Sequence, residues 1–332
     1  MNLRNLRQIH EFAFDRIQQS PSQKRIVMIY AALSLGLTAL VTVLSQVLGL
    51  MMDNFGGLSN LGKRNMLSSL QSMLPMVQSL LSMCLNVGYL AAMLRIARGM
   101  YTSPQTLRLG FDRFWLLLRC SIFKGLMLSA VVFVSMYFGV VIYMMTPFSD
   151  AAVEIITPLL SQMSMLNTEI VIDDATYLLL MEAMVPAFAI CGILLLVLGV
   201  PVLYNYRMAE YVIIDKPAVG ALAALRESKK MMRGNRLSLM KLDISLWWYY
   251  LASFAATVIC YGDVLLNLLG LEMPIPDTVA FYGFYVLYLA ASFAVHFFLR
   301  NRVEVCYGLA YDAVKPEEKQ DNGVVLGNIF QM

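Results

Sequence analysis

Charge is scarce in this sequence. Only 14% of its 332 residues are Asp, Glu, Lys or Arg, against roughly 25% in soluble globular proteins, while 59% are hydrophobic. So few charges cannot cover a water-facing surface of this size, so something other than water must solvate much of the chain. Histidine is nearly absent: His10 and His296 stand at opposite ends, which excludes a sequence-local metal motif. The five cysteines, Cys84, Cys120, Cys191, Cys260 and Cys306, include no CxxC pair. All lie in apolar or membrane-proximal stretches, where a free thiol behaves as a small hydrophobe. There is no P-loop, no GxSxG and no HExxH. Glu210, Asp215 and Asp243 each stand beside basic residues and read as interfacial ion pairs, not as an acid–base couple. No catalytic, cofactor-binding or metal site is therefore expected, and the protein reads as a non-enzyme. A net charge of only +3 gives no reason to expect a nucleic-acid partner.

Long hydrophobic runs are what the sequence does have. A helix needs about 20 mostly apolar residues to cross the bilayer core, and six stretches qualify: 26–50, 73–94, 125–145, 184–204, 244–261 with an apolar continuation, and 279–299. In hydrocarbon every backbone polar group must be paired within its own segment, so these runs are helices. The first is too long for a signal-peptide core, and no small-x-small cleavage site follows it. The expected fold is all-α: a polytopic integral membrane protein of six transmembrane helices in three hairpins, with interfacial amphipathic helices and no soluble domain.

Orientation follows from where the basic residues fall. Of the 25 lysines and arginines, 23 flank one side of the six runs, and only Lys63 and Arg64 lie on the other. Asp150, Glu154, Glu169, Asp173, Asp174, Asp263, Glu272 and Asp277 mark that other side. By the positive-inside rule both termini are expected in the cytosol and the protein in the cytoplasmic membrane. Trp115, Trp247 and Trp248 fall near the same boundary, where amphipathic rings anchor.

The organisation expected is a cytosolic amphipathic segment at 1–24, a six-helix membrane domain at 25–312 and a cytosolic tail at 313–332. In the first segment Leu3, Leu6, Ile9, Ala13 and Ile17 recur at helical spacing. Within the membrane domain, 206–241 is a cytosolic amphipathic segment, with a helix over 217–233 that starts at Pro217 and puts Ala218, Leu222 and Leu225 on one face. Its Arg226, Lys229, Lys230 and Arg233 are candidate contacts for anionic lipid, each worth about 1 kcal/mol near a charged surface. An outward acidic segment, 147–183, includes a helix over 152–165 and a turn at Asp173–Asp174. Deeper in the runs lie Gln46, Gln78 and Asn86, candidates for interhelical hydrogen bonds or a solute path.

Several features in order resemble one family. They are Leu94-Arg95-Ile96-Ala97-Arg98-Gly99 with Leu107 and Gly110-Phe111, and then Tyr206-Arg207-Met208-Ala209 through Asp215-Lys216-Pro217. Ala221, Ala224-Leu225, Ser228, Met231-Met232, Gly234-Asn235 and the run Leu242–Trp247 follow, with Tyr307 or Tyr311 near the end. This pattern is similar to the bacterial integral-membrane family called domain of unknown function 975, over roughly residues 85–260. The resemblance implies a bacterial multi-pass membrane protein and carries no catalytic residues.

The functional expectation is a non-enzymatic scaffold, accessory or envelope-maintenance protein whose partner is the lipid bilayer. Two alternatives are a transporter or channel component for a peptide, lipid-like or other small solute, and a membrane regulator that binds anionic lipid.

Overall fold

The computed structural model describes residues 5–54, 61–150, 152–157, 174–268 and 276–315. Among these there is no strand. Helix α1 (Leu6–Gln19) leads into α2 (Gln23–Asn54) and α3 (Leu61–Ala97), and a 3-10 turn (Pro104–Arg108) and α4 (Leu109–Asp112) lead to α5 (Phe114–Met144). Helix α6 (Asp174–Tyr206) returns to the basic end, where α7 (Ala209–Asp215), α8 (Ala221–Met231) and α9 (Arg236–Ser245) follow. Then come α10 (Trp247–Cys260), α11 (Gly262–Leu268) and α12 (Asp277–Val295), and a π-helical turn (His296–Arg300) joins α12 to α13 (Asn301–Val314).

Five helices are long and apolar enough to cross a membrane, or six if α9 and α10, bent by 58° at their junction, count as one span. The long helices overrun their apolar runs because nothing at the hydrocarbon boundary forbids another helical turn. Pro186 and Pro201 lie within α6, which nonetheless continues to Tyr206. The break before α10 falls at Ser245 and Leu246. The Ser245 hydroxyl donates back to the Leu242 carbonyl at 2.7 Å, a bond that competes with the helix ladder, and Leu246 leaves helical geometry (φ −97°, ψ 17°) with its side chain fully buried.

The helices pair as α2–α3, α5–α6 and α10–α12, but packing is uneven along them. In α2 every buried residue lies between Gln23 and Ala31, and in α3 between Cys84 and Ala97. One large core gathers these ends with α1, the start of α5, and α7, α8, α9 and α13. The segments that read as connections in the sequence therefore build the main core. Far from it the helices show apolar faces outward, Phe133 72% and Leu196 65% exposed. These faces suit lipid, where Leu and Phe side chains cost nothing to expose.

Two of the amphipathic helices sit differently from expectation. Ile9 and Ala13 of α1 are buried against α13 and α3, with Leu6 and Ile17 partly covered; Leu3 lies outside the described residues. An apolar stripe reads alike whether lipid or protein covers it, and here protein covers this one. Helix α8 starts at Ala221, four residues after Pro217, and buries Ala221, Ala224, Leu225, Ser228 and Met231 while Leu222 is exposed. In the 147–183 segment residues 152–157 are helical and Asp174 opens α6 instead of a turn; 158–173 lie outside the described residues.

Glycines set the closest approaches. A Cβ at Gly88 of α3 would collide with the Leu107 carbonyl, and one at Gly110 of α4 with the Cys84 carbonyl. This reciprocal pair lets the Pro104–Asp112 segment lie directly on the α3 backbone. Gly99 turns the chain at φ 71° beneath the Arg16 guanidinium, a conformation that side chains resist.

Candidate functional site

At the basic end a cavity of about 240 Å³ opens between α3, α5, α7 and α13. Its walls are Asn86 and Leu90 from α3, Lys124 from α5, Arg207 just past α6, Glu210 and Tyr211 from α7, Arg300 from the π turn, and Glu304 and Tyr307 from α13. Three cations and two carboxylates thus share one small space.

Two of the cations are paired. Lys124 Nζ meets Glu210 Oε1 at 2.8 Å. Arg300 Nε lies 3.5 Å from Glu304 Oε1, yet that buried nitrogen is not aligned to donate a hydrogen bond. Arg300 instead donates through Nη2 to Asn86 Oδ1 at 2.5 Å, and its guanidinium lies 4.9 Å from the Tyr30 ring and 5.5 Å from that of Tyr89. Those two rings stack at 4.1 Å. A π turn inserts one extra residue per turn and re-aims the side chains that follow it; here Arg300 ends the turn and faces inward.

Arg207 differs. Its guanidinium sits 4.6 Å over the ring of Tyr307, and Tyr307 is only 1% exposed. Among the described residues it meets no carboxylate within 4.0 Å and no hydrogen-bond acceptor. Asp243 and Glu304 attract it from beyond direct contact while accepting other bonds: Tyr204 donates to Asp243 Oδ2 at 2.5 Å, and Tyr211 donates to Glu304 Oε2 at 3.4 Å. Three cations thus line the cavity against two carboxylates.

Beneath the cavity an ionic clasp ties three helix ends together. Arg98 donates to Asp215 Oδ1 at 2.7 Å and to Asp312 at 2.7 Å and 3.0 Å. Lys315 and Tyr311 donate to Asp215 Oδ2 at 2.7 Å and 3.1 Å. Burial works against the Arg98 charge, but the two carboxylates outweigh it and hold its pKa above the usual arginine value. Arg113 donates to the Ile213 and Ile214 carbonyls at the end of α7, and burial lowers its pKa.

A model of a family described as protein of unknown function (DUF975) matches residues 19–295. This chain belongs to that family. No curated protein and no solved structure matches it. The DUF975 match is wider than the stretch legible by eye, and it stops before Arg300. Asn86, Lys124, Arg207, Glu210 and Tyr211 lie within it, whereas Arg300, Glu304 and Tyr307 lie beyond. Residues that carried the resemblance take structural posts. Arg98 and Asp215 form the clasp, Gly99 makes the turn, Gly110 makes the close approach, and Ser228 donates to the Asn205 carbonyl at 2.8 Å. In this DUF975 protein Asn235 also closes the end of α8 by donating to the Met231 carbonyl at 2.9 Å.

The candidate polar residues separate. Asn86 enters the cavity. Gln78 donates to Thr38 Oγ1 at 3.2 Å in a ladder joining α2 to its neighbours, in which Gln71 donates to the Ser45 hydroxyl at 3.1 Å and Tyr285 to Thr42 at 2.8 Å. Gln46 is exposed and has no hydrogen-bond partner among the described residues. Arg226, Lys229, Lys230 and Arg233 come together with Arg236 around a surface recess of about 410 Å³. The cavity itself, with Lys124, Arg207, Arg300, Glu304 and Tyr307, escaped sequence reasoning. The available signal was the arginine at which the fourth and sixth apolar runs each end.

Proposed function

We propose that this multi-pass membrane protein is a non-enzymatic accessory component that holds an anionic ligand group in the Arg207 cavity. On this reading six helices cross the bilayer, the bent α9–α10 pair counting as one, with both termini in the cytosol of a bacterial cell. The segregation of lysine and arginine supports that orientation. The observation that carries the function is Arg207, exposed, seated on Tyr307 and lining the cavity with no carboxylate within 4.0 Å among the described residues. The planar guanidinium fork suits a carboxylate or phosphate held by two parallel hydrogen bonds.

Thermal unfolding of the detergent-purified protein in the presence of glycerol phosphate tests this. Glycerol phosphate raises the midpoint of the wild type and leaves that of Arg207→Gln unmoved; an equal rise in both proteins overturns the reading. For the orientation, cysteines placed at Gln19 and Lys315 in a cysteine-free background stay unlabelled by an impermeant maleimide on intact cells. Labelling there reverses it.

Asn86 supports a second reading, passage of a small anionic solute, because its amide shares the cavity with Arg207 and Arg300. Solute flux into proteoliposomes that Asn86→Leu abolishes favours that role over the accessory one.

A further inference from the structure

Beside the polar cavity lies a second space of about 240 Å³ with the opposite lining. Phe123 and Met127 of α5, Tyr206 at the end of α6, and Leu222 and Leu225 of α8 form its apolar wall. Lys124, Arg226 and Lys229 stand at its rim. Lys124 lines both spaces, and the chain passes from the groove at Tyr206 to the cavity at Arg207 in one step. Arg226 and Lys229 are exposed and have no ion-pair or hydrogen-bond partner among the described residues. An apolar slot with cations on its rim and a cation-rich cavity next to it complements a molecule with a negative head and a hydrocarbon tail.

We infer that the ligand of the Arg207 cavity is an anionic amphiphile of the phospholipid class, whose acyl chain lies in the groove between α5 and α8. This rests on the proposed anion-binding role and adds to it the chain. Helix α8 supplies what a bare span end lacks: Leu222, exposed while Ala221, Ala224, Leu225 and Met231 of the same helix are buried, lines the groove beside Leu225. The cations Arg226 and Lys229 then sit at the level of the phosphate, and a zwitterionic head gains less from them than a net negative one.

Delipidated protein in detergent is titrated with dioleoyl phosphatidic acid, dioleoyl phosphatidylcholine and glycerol phosphate, and the rise in unfolding temperature is read. Burial of two methylenes, about 0.8 kcal/mol each, already gives roughly tenfold in affinity. Phosphatidic acid should therefore act at a concentration about tenfold or more below that of glycerol phosphate, and below that of phosphatidylcholine. Met127→Trp and Leu222→Trp fill the groove at residues 48% exposed and so leave the fold intact. They should erase the advantage of the long-chain lipid and keep the response to glycerol phosphate. Equal potency of phosphatidic acid and glycerol phosphate in the wild type overturns the inference, and so does an undiminished lipid preference in both tryptophan variants; the anion-binding role survives either result. Loss of the glycerol phosphate response from the wild type, or its persistence in Arg207→Gln, overturns the anion-binding role and the inference with it.

Discussion

Tyr307 carries Arg207 on its ring face and Tyr250 on its hydroxyl, the two oxygens 3.0 Å apart. One buried side chain of α13 thus positions a cation of the cavity and anchors α10. The two contacts separate by substitution. Tyr307→Phe keeps the ring and loses only the hydroxyl contact, a change of about 1 kcal/mol. Tyr307→Leu also removes the face under the guanidinium, a further loss of roughly 0.5–2 kcal/mol. Chemical or thermal unfolding in detergent should rank them wild type, Phe, Leu, and the response to glycerol phosphate should weaken only in the leucine variant.

The reciprocal glycines make a sharper packing test. Gly88→Ala and Gly110→Ala each press a methyl group into a backbone carbonyl, and overpacking of this kind costs about 1–3 kcal/mol. Gly125→Ala meets nothing within 4 Å and sits in a helix, where alanine is favoured over glycine by about 1 kcal/mol. The first two variants should unfold earlier than wild type, while the third should match or exceed it.

His10 predicts a pH effect at the docked N-terminal helix. Its Nε2 lies 3.0 Å from the Ser245 hydroxyl and its Nδ1 3.9 Å from Cys306 Sγ, and burial lowers its pKa below 6.5. The folded state therefore binds fewer protons than the unfolded state between that lowered value and 6.5, so stability rises with pH across this window and is lost as pH falls through it. Cleavage of α1 by trypsin at Arg7 and Arg16 should accelerate on acidification below 6.5 in the wild type. His10→Gln, which cannot protonate, should show a flat profile.

The ladder between α2 and α3 separates two glutamines that look alike in sequence. Gln78→Leu removes the bond to Thr38 and should lower stability by about 0.6 kcal/mol, typical of interhelical bonds in membranes. Gln46→Leu removes no bond and should not destabilise. Equal losses in both would show that burial in lipid, not pairing, sets their energetics.

The clasp makes the last test. Arg98→Ala leaves Asp215, 10% exposed, with Lys315 and Tyr311 as its remaining partners. Breaking a fully buried pair costs about 3–5 kcal/mol; with Arg98 26% exposed and Asp215 still partnered, a loss of roughly half that is expected. Unfolding midpoints of Arg98→Ala and Arg98→Lys measure it, and lysine should recover only part because it lacks the fork that reaches both carboxylates.

The long helices were legible because hydrophobic runs of bilayer length have few other readings, and five of the six expected runs emerge as long helices. The α10 region emerged in pieces, bent by 58° where Leu246 leaves helical geometry to bury its side chain, a tertiary choice that apolar composition does not encode. The stripe of α1 was legible as a stripe but silent on its partner, since α13 lies nearly 300 residues away. Of the candidate residues, Asn86 reached the cavity because it sits on the buried half of α3, whereas Gln46 is exposed on α2 beside the bonded Ser45.

By itself the sequence determined the solvent and the sidedness of charge. Transfer of apolar side chains from water is roughly additive along a chain, so counting residues is enough to identify spans and basic flanks. Only the tertiary structure decided where the charge gathers. Lys124, Arg207 and Arg300 come from three separate segments, and their meeting depends on packing between stretches more than eighty residues apart, which no local periodicity encodes.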